Sequence, residues 1–230
     1  MSEDLKQNLE KVQYLIGEAK SKSPYKQEVK LIAVSKTVDM PEIKQIYDLG
    51  IRDFGENKPQ ELARKSQELT DANWHQIGTL QKNKVKYIID RVRLIHSVDS
   101  LSLAQEIDKR AKQLDITINC LLQINISHEE SKHGIEEKDV IEFVKNLQQY
   151  KNISLIGLMG MAPYESDKEK TRPYFQRMKE IISDVNSKKI YGSELTELSM
   201  GMSNDFQIAI EEGATMVRVG TSIFGERTYK

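Results

Sequence analysis

Eight short apolar segments alternate with longer amphipathic segments, and this alternation restricts the possible folds more than any other feature of the chain. The predicted strands are residues 30–36, 51–56, 74–78, 94–98, 118–126, 155–161, 198–202 and 216–220. A predicted helix follows each of the first seven strands. Within 230 residues, this pattern predicts an α/β fold, a single (β/α)8 TIM-type barrel. A doubly wound open sheet is the alternative, but it usually has fewer strands, and no G-x-G-x-x-G motif follows the first strand here.

One further helix is predicted ahead of the first strand, over residues 3–21. Its apolar positions fall on one helical face and are Leu5, Leu9, Val12 and Ile16. No low-complexity linker divides the sequence, so we expect one domain over residues 1–230.

Composition excludes several classes of protein. The chain has 34 basic and 35 acidic residues, a near-neutral balance that argues against a general nucleic-acid binder. No apolar stretch approaches the ~20 residues that span a bilayer, and the N-terminus does not look like a secretory signal. Cys120 is the only cysteine, so no internal disulfide can form. We therefore expect a cytoplasmic protein that binds neither nucleic acid nor membrane.

Polar residues and glycines lie at or just after the C-terminal ends of the predicted strands. They are Lys36, Asn57, Gly78, Asn125, Ser203 and Gly220. In a barrel these strand ends converge on one face, which is where active sites lie. Residues that are far apart in the sequence thereby become neighbours.

Lys36 ends the first apolar segment. Ile32, Val34 and Lys36 share one face of that strand, so if the first two fill the barrel interior, Lys36 points into the barrel mouth. A lysine that ends a strand is more often a solvated surface residue. A desolvated lysine at this place can instead form a Schiff base with a carbonyl compound.

Arg218 lies in the middle of the last predicted strand, where a buried arginine needs an anion or an acceptor. One interpretation is an internal salt bridge, for which Glu56 is the candidate partner. The other interpretation is a contact with a ligand. A guanidinium donates hydrogen bonds and is not deprotonated, so a pyridine nitrogen facing it would stay unprotonated.

Two loops that carry glycine and hydroxyl groups follow the seventh and eighth strands, at residues 200–204 and 220–222. Loops at these two places, together with a helix N-terminus, commonly bind phosphate in barrels. Residues 204–207 also resemble a capping box. Either loop alone is typical of an ordinary turn, but the pair predicts an anion site. A Schiff-base lysine, a fixed cation and an anion site are what pyridoxal 5'-phosphate (PLP) requires.

Two other polar segments are interpreted as structural. The histidines of residues 128–133 are five apart, whereas the metal-binding H-E-x-x-H motif needs four, so we expect a solvated loop and no metal site. Residues 82–86 are interpreted as one basic helix face, which would also give positive potential near a phosphate. His75, taken alone, is more often a core histidine than a catalytic one.

Seven motifs together identify a resemblance. They are AVSK at 33–36, FGEN at 54–57, WHQIGTLQKNK at 74–84, HSVDS at 96–100, GLMGMAP at 157–163, MGMSNDFQIAIEEGAT at 200–215 and VRVGTSIFG at 217–225. With these motifs the chain resembles the pyridoxal-phosphate homeostasis protein family, whose fold is that of the alanine racemase N-terminal barrel. The resemblance covers residues 29–227. It departs from the family pattern at residues 131–134, where we expect a small residue in place of His133.

The resemblance implies specific roles for the site residues. Lys36 would carry PLP as an internal aldimine, and Arg218 would face the pyridine nitrogen. The residues implied to hold the phosphate are Ser203, Gly220 and Thr221. Asn57 and His75 match family positions that line the pocket. Family members are described as single-domain PLP-binding proteins without an established reaction, so the implied function is buffering or delivery of PLP, as a monomer, to PLP-dependent apoenzymes.

A PLP-dependent amino-acid racemase is the alternative function. Racemases of this fold carry a further β-rich domain that supplies a second acid–base residue across the dimer. This sequence ends at Lys230, when the barrel is complete, and only Tyr229 follows the last strand as a candidate acid. We therefore expect no robust turnover. A third possibility, a Schiff-base aldolase without cofactor, would leave Arg218 with no clear role.

Overall fold

The computed structural model describes residues 3–127 and 133–226, and its strands form a closed parallel barrel. The strands pair in chain order, and the last strand pairs with the first. They are β1 (Lys30–Val34), β2 (Asp53–Glu56), β3 (Asn73–Gln76), β4 (Val92–Val98), β5 (Ile118–Ile124), β6 (Ile153–Gly160), β7 (Glu197–Met202) and β8 (Met216–Val219). The predicted (β/α)8 architecture is confirmed.

Helices form the outer layer of the barrel. The α-helices are α1 (Glu3–Lys22), α2 (Met40–Asp48), α3 (Pro59–Lys65), α4 (Leu101–Gln113), α5 (Val140–Leu147), α6 (Arg172–Ser187), α7 (Phe206–Glu211) and α8 (Thr221–Phe224). The helix predicted after the third strand is instead a 3-10 helix over Lys82–Tyr87. Two further 3-10 helices, Glu137–Asp139 and Lys168–Thr171, precede α5 and α6.

The predicted N-terminal helix is present as α1, and the apolar face expected from the sequence is buried. This helix packs against α7 and α8, beside the place where β8 meets β1. The amide of Asn8 donates a hydrogen bond to the carbonyl of Ile223 in α8, at 3.1 Å. Since α8 has only four residues, α1 packs over much of the barrel surface where β8 pairs with β1.

Apolar side chains pack on both sides of the barrel wall. The larger group lies between the strands and the helices. A smaller group fills the lower part of the barrel interior and consists of Ile32, Leu94, Leu121, Met159 and Met216. Because Ile32 is in this group, the alternation along β1 directs Val34, the last residue of the strand, into the barrel interior nearer the mouth.

Within the described residues, no helix is both long and apolar enough to cross a membrane. In the same residues, no group of three or more possible ligands could hold a metal ion. Cys120 is buried as a free thiol, and burial raises its pKa far above the usual range. Residues 128–132 of the histidine-containing loop, and Tyr229, lie outside the described residues.

Candidate functional site

A cavity of about 700 Å³ opens at the C-terminal mouth of the barrel. The lining includes six of the seven residues expected from the sequence: Lys36, Asn57, Ser203, Arg218, Gly220 and Thr221. They come from both ends of the sequence, because barrel closure places β1 beside β8. This volume lies within the range of ordinary small-molecule sites.

Lys36 lies two residues beyond the end of β1, whereas the sequence predicted a strand through residue 36. Side chains hold the backbone on both sides of Lys36. The Ser35 carbonyl accepts a hydrogen bond from Lys65 Nζ at 2.7 Å. The Thr37 N–H donates to Glu61 Oε1 at 3.0 Å. Thr37 also has a φ of 63°, a conformation that few non-glycine residues adopt.

Lys65 is the centre of this arrangement, and its side chain is fully buried behind β1 and β2. It forms ion pairs with Glu56 at 2.8 Å and with Glu61 at 2.7 Å. Glu56 also accepts a hydrogen bond from Ser35 Oγ at 2.6 Å. Burial raises the pKa of Glu56 to about 7, although the charge of Lys65 opposes this shift. We call Ser35, Glu56, Glu61 and Lys65 the lysine-65 cluster.

Arg218 points from β8 toward the cavity and is 4% exposed. Its guanidinium donates to Ser199 Oγ at 2.6 Å and to the Gly160 carbonyl at 3.1 Å. Burial lowers the pKa of Arg218 to about 10, so the group stays charged at neutral pH. The salt bridge considered between Arg218 and Glu56 is wrong, because Glu56 pairs with Lys65 outside the barrel wall. Within residues 3–127 and 133–226, no carboxylate lies within ion-pair distance of Arg218.

The loops after β7 and β8 meet at one side of the cavity. Ser203 Oγ accepts hydrogen bonds from the N–H groups of Gly220 at 3.2 Å and Ser222 at 3.4 Å. These amides and hydroxyl groups therefore lie side by side, together with Thr221, at the start of α8. Such a group of donors suits a phosphate.

The capping box expected over residues 204–207 is wrong. Asp205 does precede α7, but its side chain accepts from the Met202 N–H at 2.7 Å, on the strand side of the turn. This bond shapes the loop that carries Ser203. Gly201 in the same turn has a φ of 89°, and a Cβ there would lie 2.6 Å from the Ala209 Cβ. The tight turn therefore requires glycine.

His75 does not line the cavity, contrary to what the resemblance implied. The register of β3 places it lower in the barrel, and Ile77, two residues further on, reaches the lining instead. His75 is 1% exposed and contacts Asp53 at 2.9 Å and His96 at 3.0 Å. Asn125, one of the strand-end residues, is also absent from the lining, and its side chain donates to Glu136 at 2.9 Å.

Sequence reasoning missed several lining residues. They are Gln123, His133, Met161 and Tyr164. His133 was assigned to a solvated loop; it is exposed, but its backbone is fixed because its carbonyl accepts from Gln123 at 3.0 Å. Tyr164 lies at the rim and is 86% exposed. The only sequence signal for these residues was their place near the C-terminal ends of the predicted fifth and sixth strands or in the loops that follow, which a barrel brings to the mouth.

Comparisons with known proteins agree with this geometry. A family model described as "Alanine racemase, N-terminal domain" matches residues 5–228. A pyridoxal phosphate homeostasis protein of Aquifex aeolicus is 44% identical over 202 residues, which cover 87% of this chain and 88% of that protein. The chain belongs to the pyridoxal phosphate homeostasis protein family.

Solved structures extend the likeness to three dimensions. PipY of Synechococcus elongatus, a homologue solved with PLP bound, is 35% identical with a TM-score of 0.80, and the match covers 92% of this chain and 99% of PipY. An alanine racemase of Clostridium difficile is 16% identical with a TM-score of 0.80, and the match covers 100% of this chain and 61% of the racemase. At that identity the racemase shares only the fold with this member of the family.

Proposed function

We propose that this protein binds PLP in the barrel-mouth cavity and buffers or delivers the cofactor inside the cell. The observation that carries the proposal is that Lys36, Arg218 and the two loops that carry Ser203 and Thr221 line one cavity. An amine, a fixed cation and a group of phosphate donors match the aldehyde, the ring nitrogen and the phosphate of PLP. The PLP-bound structure of PipY supports the same assignment.

Lys36 is the proposed covalent attachment point. Its amine adds to the aldehyde carbon of PLP, a carbon–nitrogen double bond forms, and the aldehyde oxygen leaves as water. The lysine-65 cluster holds the backbone of Ser35 and Thr37 on either side of this amine. Ser203, Gly220 and Thr221 bind the phosphate. Asn57 contributes to the wall, where a Cβ at Gly78 would approach the Asn57 carbonyl oxygen to 2.7 Å.

Arg218 is proposed to donate a hydrogen bond to the ring nitrogen. When bound, PLP can stabilise negative charge at the α-carbon of an amino acid. A guanidinium facing the ring nitrogen keeps that nitrogen unprotonated and weakens this ability. We therefore propose that the protein carries PLP without robust turnover. We also propose that the protein binds PLP as a monomer.

The test is covalent trapping of the cofactor. Purified protein incubated with PLP should turn yellow, and borohydride reduction should fix the cofactor mass on the peptide that contains Lys36. Lys36→Ala should bind PLP without gaining that mass, and Lys58→Ala, an exposed lysine nearby in sequence, is the matched control. A wild-type protein that gains no mass would refute the attachment.

The same preparations test the absence of turnover. Loaded protein is incubated with L- and D-amino acids in deuterium oxide, and chirality and deuterium at the α-carbon are followed. We expect neither to change. Turnover at ~1 per second or faster, abolished in Lys36→Ala, would place the protein among the PLP enzymes.

A further inference from the structure

A continuous series of polar side chains crosses the barrel interior beneath the cavity. Arg218 donates to Ser199 Oγ at 2.6 Å, and Ser199 Oγ lies 2.9 Å from His96 Nδ1. His96 Nε2 lies 3.0 Å from His75 Nδ1, and His75 Nε2 lies 2.9 Å from Asp53 Oδ1. We call these five residues the interior relay. It runs from the cavity to the start of β2, at the opposite end of the barrel.

The two ends of the interior relay fix the direction of every hydrogen bond in it. Arg218 can only donate, and an ionised Asp53 can only accept. His75 therefore donates through Nε2 and, when neutral, accepts through Nδ1. His96 then donates through Nε2 and accepts through Nδ1 from the hydroxyl of Ser199. That leaves a lone pair of the Ser199 oxygen directed at the guanidinium.

The surroundings keep both imidazoles neutral. Burial lowers the pKa of His75, and burial together with the nearby His75 and Arg218 lowers the pKa of His96 well below its usual range. Burial also acts to raise the pKa of Asp53, but the hydrogen bond with His75 and the charge of Lys30 outweigh it and the net pKa is lowered. His75, His96 and Ser199 are at most 1% exposed, so bulk water does not reach them.

We propose that His75, His96 and Ser199 are positioning residues, which hold one acceptor under Arg218 and so aim its guanidinium at the ring nitrogen of the cofactor. This inference rests on the proposed function of the cavity. It gives His75 a role although the residue does not line the site. The relay also supplies what Arg218 needs in a buried position, because a polar acceptor and the Gly160 carbonyl take the place of a carboxylate partner.

The discriminating experiment compares two ligands. PLP has a ring nitrogen, whereas its 1-deaza analogue has a C–H group at that position and the same aldehyde and phosphate. Ser199→Ala removes the acceptor under Arg218 with little change in volume. We expect this variant to bind PLP about tenfold more weakly, which is within the worth of a hydrogen bond to a charged group. Affinity for the deaza analogue should stay within about twofold.

Ser97→Ala is the matched control. Ser97 is also a fully buried serine, in β4 beside His96, and its hydroxyl has no hydrogen-bond partner among the described residues. This variant should bind both ligands like the wild type. Equal weakening of PLP and the deaza analogue by Ser199→Ala would overturn the positioning role in favour of a general structural one. Unchanged binding of both ligands would overturn it as well.

A measurement on the protein without cofactor tests the relay independently of PLP. Nitrogen-15 NMR of the imidazoles should show His75 and His96 as neutral rings protonated at Nε2. Ser199→Ala should move the His96 Nδ1 resonance toward that of a nitrogen without a hydrogen bond. A ring protonated at Nδ1 would overturn the proposal. A wild-type protein that binds no PLP would instead refute the proposed function, while the NMR result would still decide the direction of the relay.

Discussion

Substitution of Lys65 by methionine tests whether the lysine-65 cluster holds the backbone around Lys36. Methionine retains most of the length of the lysine stem but none of its hydrogen bonds. The change removes the donor to the Ser35 carbonyl and the partner of Glu56 and Glu61. Glu56 would then keep only its contact with Ser35 Oγ in a fully buried place.

The structure limits the expected loss of stability. Breaking a buried ion pair typically costs ~3–5 kcal/mol, because an uncompensated charge remains. Glu56 can avoid that charge by binding a proton: with a pKa of about 7 it is already half protonated at pH 7, so full protonation costs only ~0.4 kcal/mol more. What remains is the loss of charge-assisted hydrogen bonds, each worth ~1.5–3 kcal/mol. The half-buried Glu61 recovers part of this loss, because water can replace its bond to Lys65. We therefore expect the free energy of unfolding to fall by ~3 kcal/mol at pH 7.

Denaturant unfolding of the protein without cofactor measures this loss, and PLP affinity measures its effect on the site. Lys44→Met is the control, since Lys44 forms only an exposed pair with Glu68 and should cost less than ~0.5 kcal/mol. In Lys65→Met/Glu56→Gln no buried carboxyl is left without its cation, so the double variant should lose less than the two single changes predict together. A loss in Lys65→Met no larger than that in Lys44→Met, or unchanged PLP affinity, would refute the reasoning.

Two further predictions concern the phosphate loops and pH. Ser203→Ala with Thr221→Val should weaken binding of PLP far more than binding of unphosphorylated pyridoxal, measured by titration, and equal losses would contradict the assignment of the phosphate. The folded-state pKa of Glu56 is raised from 4.5 to about 7, so its contribution to stability is complete below pH 4.5 and is lost as the pH rises through 7. Denaturant unfolding should therefore show wild type losing roughly 3 kcal/mol relative to Glu56→Gln across that window, whereas a constant difference between them would speak against the raised pKa.

The sequence was sufficient for the barrel and for the convergence of its strand ends. Period-two alternation predicted an inward Lys36, which does line the cavity although β1 ends at Val34. The loops after the last two strands have the composition of a phosphate site. Both inferences depend on local patterns, which the chain carries within a few residues. The seven-motif resemblance added the family, and the comparisons confirm it.

The partners of buried polar groups could not be predicted in this way. Glu61 and Lys65 are four apart on a helix, a spacing that indicates an ordinary surface pair, yet Lys65 is completely buried. His96 and Ser199 are brought together only by barrel closure, and nothing in either local segment marks the other. The resemblance implied that His75 lines the pocket, whereas the residue taken alone indicated a core histidine, and in the structure its ring is buried between Asp53 and His96.

The contact between Asn8 and Ile223 has a consequence for synthesis of the chain. α1 leaves the ribosome well before α8, on which it packs, and the strand that precedes Lys36 pairs with the strand that carries Arg218. At ~5–20 residues per second, the segment from α1 to α8 takes roughly 10–50 s to make. During that time the exposed face of α1 and the open edge of β1 have no native partner. A nascent chain therefore cannot hold ligand in the barrel mouth until β8 and the loop that follows it have emerged.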